Sequence, residues 1–420
     1  MALRRGNLIA MRTAINNPFT PGSDTVPVVW AGRIAQLTDW ERVVRPRRLS
    51  GLPERGRTIL GEAGLGKSSL VRLIAATAER QGDWVTPQLR IPAGTDSLKA
   101  VAAAVLALAD TAGLAVSREK RIRDLLHRVR AVAVQGMSLT LDRAEGPEPY
   151  HALSQLLVEV GIAAMRAERA VLVHLDEMQN VTGENELSQL LIALGDALTH
   201  EEPVVAPGGV ELSRALPIAV YLTGLPDFAD LAGARKGATF ARRFATTVLT
   251  PIDDDDLTMS LRPFVTDGWE VPDGDGGTTR VWMTPEAAAQ IVALCHGEPF
   301  LFQLAGERAW YAGASSHITA DDVREGWAGV VGEASLHVER ILERLPERER
   351  RFVEVMAALD PADRTLTTIA QRMGFAEATQ LGTTAQRLDT IRGIVERGRP
   401  YTFRHRAVEA YLTTSWPRIG

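Results

Sequence analysis

Eight consecutive residues, Gly61-Glu62-Ala63-Gly64-Leu65-Gly66-Lys67-Ser68, fit the pattern G-x-x-x-x-G-K-[ST] in full. Glycines at these positions let the backbone close around an anion, so that the N–H groups from Gly61 to Ser69 can point inward. A lysine at the end of such a loop reaches the β- and γ-phosphates of a nucleotide, and the next hydroxyl ligates Mg²⁺. The pattern implies a site for ATP and Mg²⁺, with Lys67 and Ser68 in those two roles. Its flanks agree: Thr58-Ile59-Leu60 reads as a strand leading in, and Ser69 to Thr77 as a helix leading out.

A second group of residues could act on the nucleotide. Leu172-Val173-His174-Leu175-Asp176-Glu177 is an apolar run ending in two carboxylates. At a strand tip beside the loop, Asp176 could hold Mg²⁺ through water and Glu177 could polarise the attacking water. Strand-end acids also serve as caps, so it is the combination with the loop that carries this reading. His174 reads as a buried, hydrogen-bonded residue and not as a ligand. Thr223, in Tyr221-Leu222-Thr223-Gly224, stands at another strand tip, where it either orients the water or marks a strand-to-turn transition. Arg242 and Arg243 read either as a surface pair or as the source of an arginine supplied across a subunit interface, worth roughly 10³ to 10⁵ in rate. Asp253 to Asp256 resembles a metal cluster, but adjacent residues cannot all face one ion. Helix capping and dipole roles explain the run better.

The elements that must position these groups alternate. Pro18 and Pro21 keep the lead-in irregular, and a helix follows from Ile34 to about Val44. Beyond the loop come a strand at Trp84 to Ile91 and helices at Ser97 to Thr111 and Arg118 to Val132. A short strand at Ser138 to Leu141 and a helix at Tyr150 to Ala167 follow. The runs Ala170 to Leu175 and Pro217 to Leu222 read as parallel strands covered on both faces. Between them lie a helix from Glu184 to Thr199 and a loop broken by proline and glycine, Glu201 to Val210. Such alternation predicts a three-layer αβα core with a parallel sheet. After about Pro251 the pattern turns helical: Asp254 to Phe264, Pro285 to Cys295, Phe300 to Ala312 and Ala320 to Leu336, interrupted at Asp273 to Gly277. The division expected is a lead-in over 1–50, an αβα core over 51–250, an all-α lid over 251–337 and a terminal helical unit over 338–420.

Composition narrows the classes. The 420 residues are 45% hydrophobic and 24% charged, which suits a globular protein and argues against long disorder. The longest apolar stretch, near Val101 to Ala109, falls well short of a membrane span, and the positively charged start lacks a secretory core. Cys295 is the only cysteine, which excludes an internal disulfide and fits the cytoplasm. A net charge of −5 supplies no global basic field. Lysine occurs only at Lys67, Lys99, Lys120 and Lys236, so arginine clusters carry less weight here as signs of DNA binding.

Together the loop at Gly61 to Ser68, the tip at Asp176-Glu177 and the lead-in Gly32-Arg33 resemble AAA+ ATPases of the branch joining origin-recognition initiators to the STAND signalling ATPases. The resemblance spans roughly residues 17 to 411. It implies that Gly32 and Arg33 pack around adenine, that Thr223 is the sensor threonine, and that Arg242 or Arg243 is an arginine finger acting within a homo-oligomer. His296-Gly297-Glu298-Pro299-Phe300 looks like the G-x-P turn of STAND proteins, with Pro299 near the adenine or ribose, where initiators place a nucleotide-contacting arginine. That difference implies a slow switch in place of a fast motor. The effector domain and repeat array of full STAND proteins have no counterpart in the sequence, which implies a separate effector protein as partner.

Helices expected at Glu347 to Leu359, Thr365 to Gly374 and Thr379 to Glu396, a strand at Pro400 to His405 and a helix at Ala407 to Leu412 make a winged helix-turn-helix. From Arg364 onward nine arginines face four acids, a balance of +5. Gln386, Arg387, Arg392, Arg404 and Arg406 are the candidate contacts to double-stranded DNA. In STAND proteins the same unit often packs on the ATPase as a relay, so two readings stand. One is an ATP-hydrolysing switch that assembles and acts on DNA; the other is a signalling or defence scaffold whose winged helix contacts protein.

Overall fold

Val171–Asp176 and Ile218–Gly224 are buried at every position, and they form the middle of a parallel sheet. Strands covered on both faces need apolar side chains in both directions, and the two runs supply them. The protein is described from a computed structural model at residues 12–23, 25–114, 149–205, 208–228, 241–272 and 277–419. The helix expected at Arg118 to Val132 and the strand at Ser138 to Leu141 lie outside these residues. The chain forms two compact units, one of Ile34–Gly61 with Lys67–Val248, the other of Met1–Arg33, Glu62–Gly66 and Leu249–Gly420.

The first unit opens with α1 (Ile34–Asp39), a π-helical stretch (Trp40–Val44) and α2 (Arg45–Leu49). Then come β1 (Gly56–Leu60), α3 (Lys67–Arg80), β2 (Trp84–Val85), β3 (Leu89–Arg90), α4 (Ser97–Thr111) and α5 (Pro149–Arg166). The remaining elements are β4 (Val171–Asp176), α6 (Glu184–Thr199), β5 (Glu201–Val205), β6 (Glu211–Ala215), β7 (Ile218–Gly224) and β8 (Phe244–Val248). The parallel sheet runs in the order β2-β4-β7-β1-β8, with β3 also on β4. Val171, Val173 and Leu175 of β4 join Ile218, Val220 and Leu222 of β7 in one core with α4, α5 and α6. On the opposite face α3 packs on β4 and β7, and Trp40 meets Tyr221 edge-on at 6.0 Å. This is the predicted αβα sandwich. Two details differ. The strand expected at Trp84 to Ile91 is two short strands, and Glu201 to Val205, expected as loop, is a strand, β5, paired antiparallel with β6.

In the second unit the strands do not stop at Pro251. After α7 (Asp254–Thr266), β9 (Trp269–Pro272) and β10 (Thr278–Met283) pair antiparallel. The unit continues with α8 (Pro285–Cys295), α9 (Pro299–Tyr311), β11 (His317–Ile318, parallel to β10), α10 (Ala320–Ala328) and α11 (Val331–Glu343). The single helix expected over Ala320 to Leu336 is thus two. Last come α12 (Glu347–Ala357), α13 (Leu366–Arg372), α14 (Gly382–Thr390), the pair β12 (Val395–Glu396) and β13 (Thr402–Phe403), and α15 (Arg406–Thr413). The helix expected to run to Glu396 ends at Thr390, and β12 begins the hairpin. One apolar core joins α7 to α15 with the lead-in, where Phe19 stacks on Phe264 at 5.5 Å. Among the described residues no helix is long and apolar enough to cross a membrane.

Candidate functional site

β1 delivers the chain into the glycine loop, and α3 begins at Lys67 itself. Gly64 and Gly66 have φ of 89° and 79°, a left-handed backbone that explains why glycine recurs in the motif. The first N–H groups of α3 have no carbonyl within the helix to bond, so Lys67, Ser68 and Ser69 open a helix end suited to an anion. The Lys67 ammonium donates to the Gly61 carbonyl at 2.8 Å, across the loop it closes. These features fit a nucleotide polyphosphate.

Parallel pairing of β4 with β7 brings three of the expected residues together. Leu175 is opposite Leu222, so Asp176 and Thr223 follow side by side, both buried. The Thr223 hydroxyl donates to Asp176 Oδ1, which also accepts the Glu177 N–H at 2.9 Å. Asp176 Oδ2 accepts from Gln88 Nε2 at 3.1 Å and lies 3.9 Å from Arg90 Nε. Glu177 sits at φ 62°, half-buried, and its carboxylate accepts from Gln179 Nε2. The Gln179 oxygen in turn accepts the Leu225 N–H at 3.0 Å, tying the tips of β4 and β7 together. Gln88, Arg90 and Gln179 were not anticipated, since only strand pairing reveals them. His174 is buried as expected, but neither ring nitrogen has a hydrogen-bond partner among the described residues. Burial lowers its pKa to about 4, so the ring is neutral at pH 7. Among the described residues no three His, Cys, Asp or Glu side chains cluster to hold a metal. A Mg²⁺ ion bound through one hydroxyl, one carboxylate, phosphates and water needs no such cluster.

Residues 62–66 belong to the second unit, which grips them at several points. Gly32 and Arg33 have φ of 62° and 63°, and Arg33 Nη2 donates to the Leu65 carbonyl at 3.0 Å. Burial lowers the Arg33 pKa to about 10 against the opposing pull of Glu298, Asp256 and Asp253. Phe300 N–H donates to the Gly64 carbonyl at 3.2 Å, and a Cβ on Gly66 would lie 3.8 Å from Pro299. The expected G-x-P turn therefore lies against the loop. A Cβ on Gly297 would come within 2.6 Å of the Ile252 carbonyl, which makes glycine obligatory there. Glu298 is fully buried, 3.1 Å from His405 and 3.5 Å from His337. Burial works to raise its pKa, but His405, His337 and Arg33 outweigh it and hold the carboxyl below its ordinary value. Glu62 is also buried and pairs with Arg344 at 2.8 Å. His337, His405 and Arg344 are distant in sequence from the loop, and no local pattern marks them.

The two arginines before β8 differ. Arg243 is held by Asp196 of α6 at 2.7 Å, whereas Arg242 is exposed with no partner among the described residues. The expected DNA contacts fare unevenly. Arg392 is buried and, with Arg387, embraces Glu349 at 2.9 and 2.7 Å, so it faces inward and has no phosphate-reading surface. Arg404 pairs with Asp389 at 3.0 Å, and Arg406 with Asp254 at 2.7 Å and the Ile252 carbonyl at 2.9 Å. Gln386 is exposed.

A glycine loop between β1 and α3, an acidic tip on β4 and a strand inserted between β1 and β4 define a P-loop nucleoside-triphosphatase fold. Two solved proteins share this fold at low sequence identity. The Walker-type ATPase PABY2304 of Pyrococcus abyssi is similar with a TM-score of 0.52 and 16% identity, covering 91% of this chain and 96% of that one. The Aeropyrum pernix ORC2 protein, solved as ADPNP–ADP complexes, is similar with a TM-score of 0.52 and 17% identity, covering 91% and 93%. No protein-family model matches the sequence, and no curated protein does.

Proposed function

We propose that the chain binds Mg²⁺–ATP on residues 61–68 and hydrolyses it slowly, as a switch. The observation that carries this reading is the network of Thr223, Asp176 and Glu177 on adjacent strand tips, in the sheet whose β1 feeds the loop. In this reading the Lys67 ammonium exchanges the Gly61 carbonyl for a phosphate oxygen, while Ser68 would ligate Mg²⁺ and Asp176 would hold it through water. Mg²⁺, when bound, supplies charge neutralisation at the phosphates. Glu177 leaves Gln179 and accepts a proton from the attacking water, and Thr223 keeps Asp176 oriented. Gly32, Arg33 and Pro299 line the adenine side, and Arg242 acts in trans within a homo-oligomer, Arg243 being anchored on Asp196. Nucleotide in the similar A. pernix protein supports ATP as ligand. The single cysteine, Cys295, supports a cytoplasmic setting.

We read 254–343 as the lid and 347–413 as a winged helix. The ion pairs of Arg387, Arg392, Arg404 and Arg406 favour the second reading of this unit, a surface for protein, whether an effector or the chain's own ATPase, over a duplex-reading one. The test is ATP turnover measured with size in solution, with and without duplex DNA. Assembly and turnover that depend on ATP but ignore DNA are expected; salt-sensitive duplex binding lost in Arg387→Ala would restore the DNA reading. Absence of turnover in the parent would overturn the ATPase reading itself.

A further inference from the structure

The phosphate loop carries a carboxylate of its own. Glu62, directly after Gly61, is buried, and an anionic side chain within a loop that receives three phosphates opposes their binding. Its Oε2 lies 2.8 Å from Arg344 Nη2, at the end of α11, whose side chain is mostly covered. Both atoms belong to the same compact unit, so the contact is part of that unit's packing. The other charged groups near this stretch are engaged. Arg33 is spent on the Leu65 carbonyl, Lys67 reaches Gly61, and Glu298 sits between His337 and His405. Within this unit Arg344 is a cation placed to neutralise Glu62.

We infer that Arg344 is a positioning residue for the nucleotide: by pairing with Glu62 it cancels the loop's own negative charge and fixes the loop in a form that accepts a polyphosphate. This rests on the reading that residues 61–68 bind ATP. Arg344 acts through Glu62 and without touching the phosphates. The effect therefore grows with ligand charge, largest for ATP and ADP and absent for adenosine. A purely architectural brace would have a different signature, because replacing either partner would loosen the loop equally for every ligand.

The experiment measures Kd for ATP, ADP and adenosine by calorimetry on the full chain and three variants. Arg344→Met is expected to weaken ATP by roughly tenfold or more, with adenosine unchanged. Glu62→Gln is expected to bind ATP more tightly than the parent, since it removes the opposing charge. The double variant Glu62→Gln/Arg344→Met is expected within about threefold of the parent, the cancellation of two charge effects. If Arg344→Met does not fold, the double variant, which strands no buried charge, carries the test alone. The inference is overturned if Arg344→Met binds ATP like the parent, if it weakens adenosine as much as ATP, or if the double variant remains as weak as the single one. A parent that binds no ATP overturns both this inference and the reading it rests on, whereas the other three results leave ATP binding intact.

Discussion

Thr223→Val tests whether Asp176 is the residue that holds the metal. Valine keeps the shape of threonine at a buried position, so the change removes the hydroxyl that donates to Asp176 Oδ1 and little else. A hydrogen bond to a charged acceptor is worth about 1.5–3 kcal/mol, or roughly 10- to 150-fold. Asp176 keeps the Glu177 N–H at 2.9 Å, Gln88 at 3.1 Å and Arg90 at 3.9 Å, so the carboxylate stays partly held. The lower end is therefore expected, about a tenfold fall in kcat/KM for Mg²⁺–ATP. The assay is steady-state ATP hydrolysis over a Mg²⁺ series, with ADP affinity measured in the absence of metal. Half-saturating Mg²⁺ should rise together with the loss of rate, while metal-free ADP affinity stays at the parent's value. If kcat/KM and the Mg²⁺ requirement both match the parent, the assignment of Asp176 is wrong, because its most buried neighbour would have been removed without effect.

Glu177→Gln preserves the size and the contact with Gln179 but not the basicity, so turnover should fall by roughly 10² to 10⁴ with ADP affinity unchanged, read by single-turnover hydrolysis. Arg242→Ala should lower turnover of the assembled protein by roughly 10³-fold or more while leaving the melting temperature alone. Arg243→Ala, which breaks the half-exposed pair with Asp196, should cost about 1 kcal/mol and spare catalysis; equal kinetic losses at the two positions would refute the assignment. Gly297→Ala places a Cβ at φ 83° and 2.6 Å from the Ile252 carbonyl, so a loss of about 2 kcal/mol or more is expected in thermal unfolding. Burial pushes the Cys295 thiol up to about 12, so a thiol reagent at neutral pH should label the chain only after denaturation; rapid labelling of the native protein would contradict that burial.

What could be read from the sequence was what lies close together along it. The glycine loop and the wholly buried β4 and β7 each carry their own signal, a motif in one case and unbroken apolar runs in the other. The β5–β6 hairpin gave no period-two pattern because β5 is exposed or half-exposed throughout and β6 buries only Ala215. Its strands are held by backbone pairing, to which side-chain pattern is blind. β9 and β10 are short and flank a Gly/Asp cluster, so one buried residue in β9 and two in β10 were too few to outweigh the break. The partners of the site were hidden for another reason. Glu62 and Arg344 are 282 residues apart, and Arg392 meets Glu349 across 43. Charge pairs at such separations depend on the assembled fold and leave no local trace.

That last point changes the weight of the C-terminal charge. Nine arginines against four acids suggested a basic surface, yet Glu349 and Asp254, which neutralise three of those arginines, lie outside the segment counted. Freeing Arg392 for a phosphate would break a buried ion pair and leave Glu349 with Arg387 alone, and the Arg392 side chain would have to leave the core to reach solvent. Arg372, Arg399 and Arg418 are the exposed arginines of the segment for which no pair is seen among the described residues. A duplex-binding face would have to be built on these three and Gln386, with fewer released counterions and a shallower salt dependence than the net charge implies. The ion pairs therefore do more than remove candidates. They turn the +5 balance from an argument for DNA into an argument for a unit whose charges hold its own helices together.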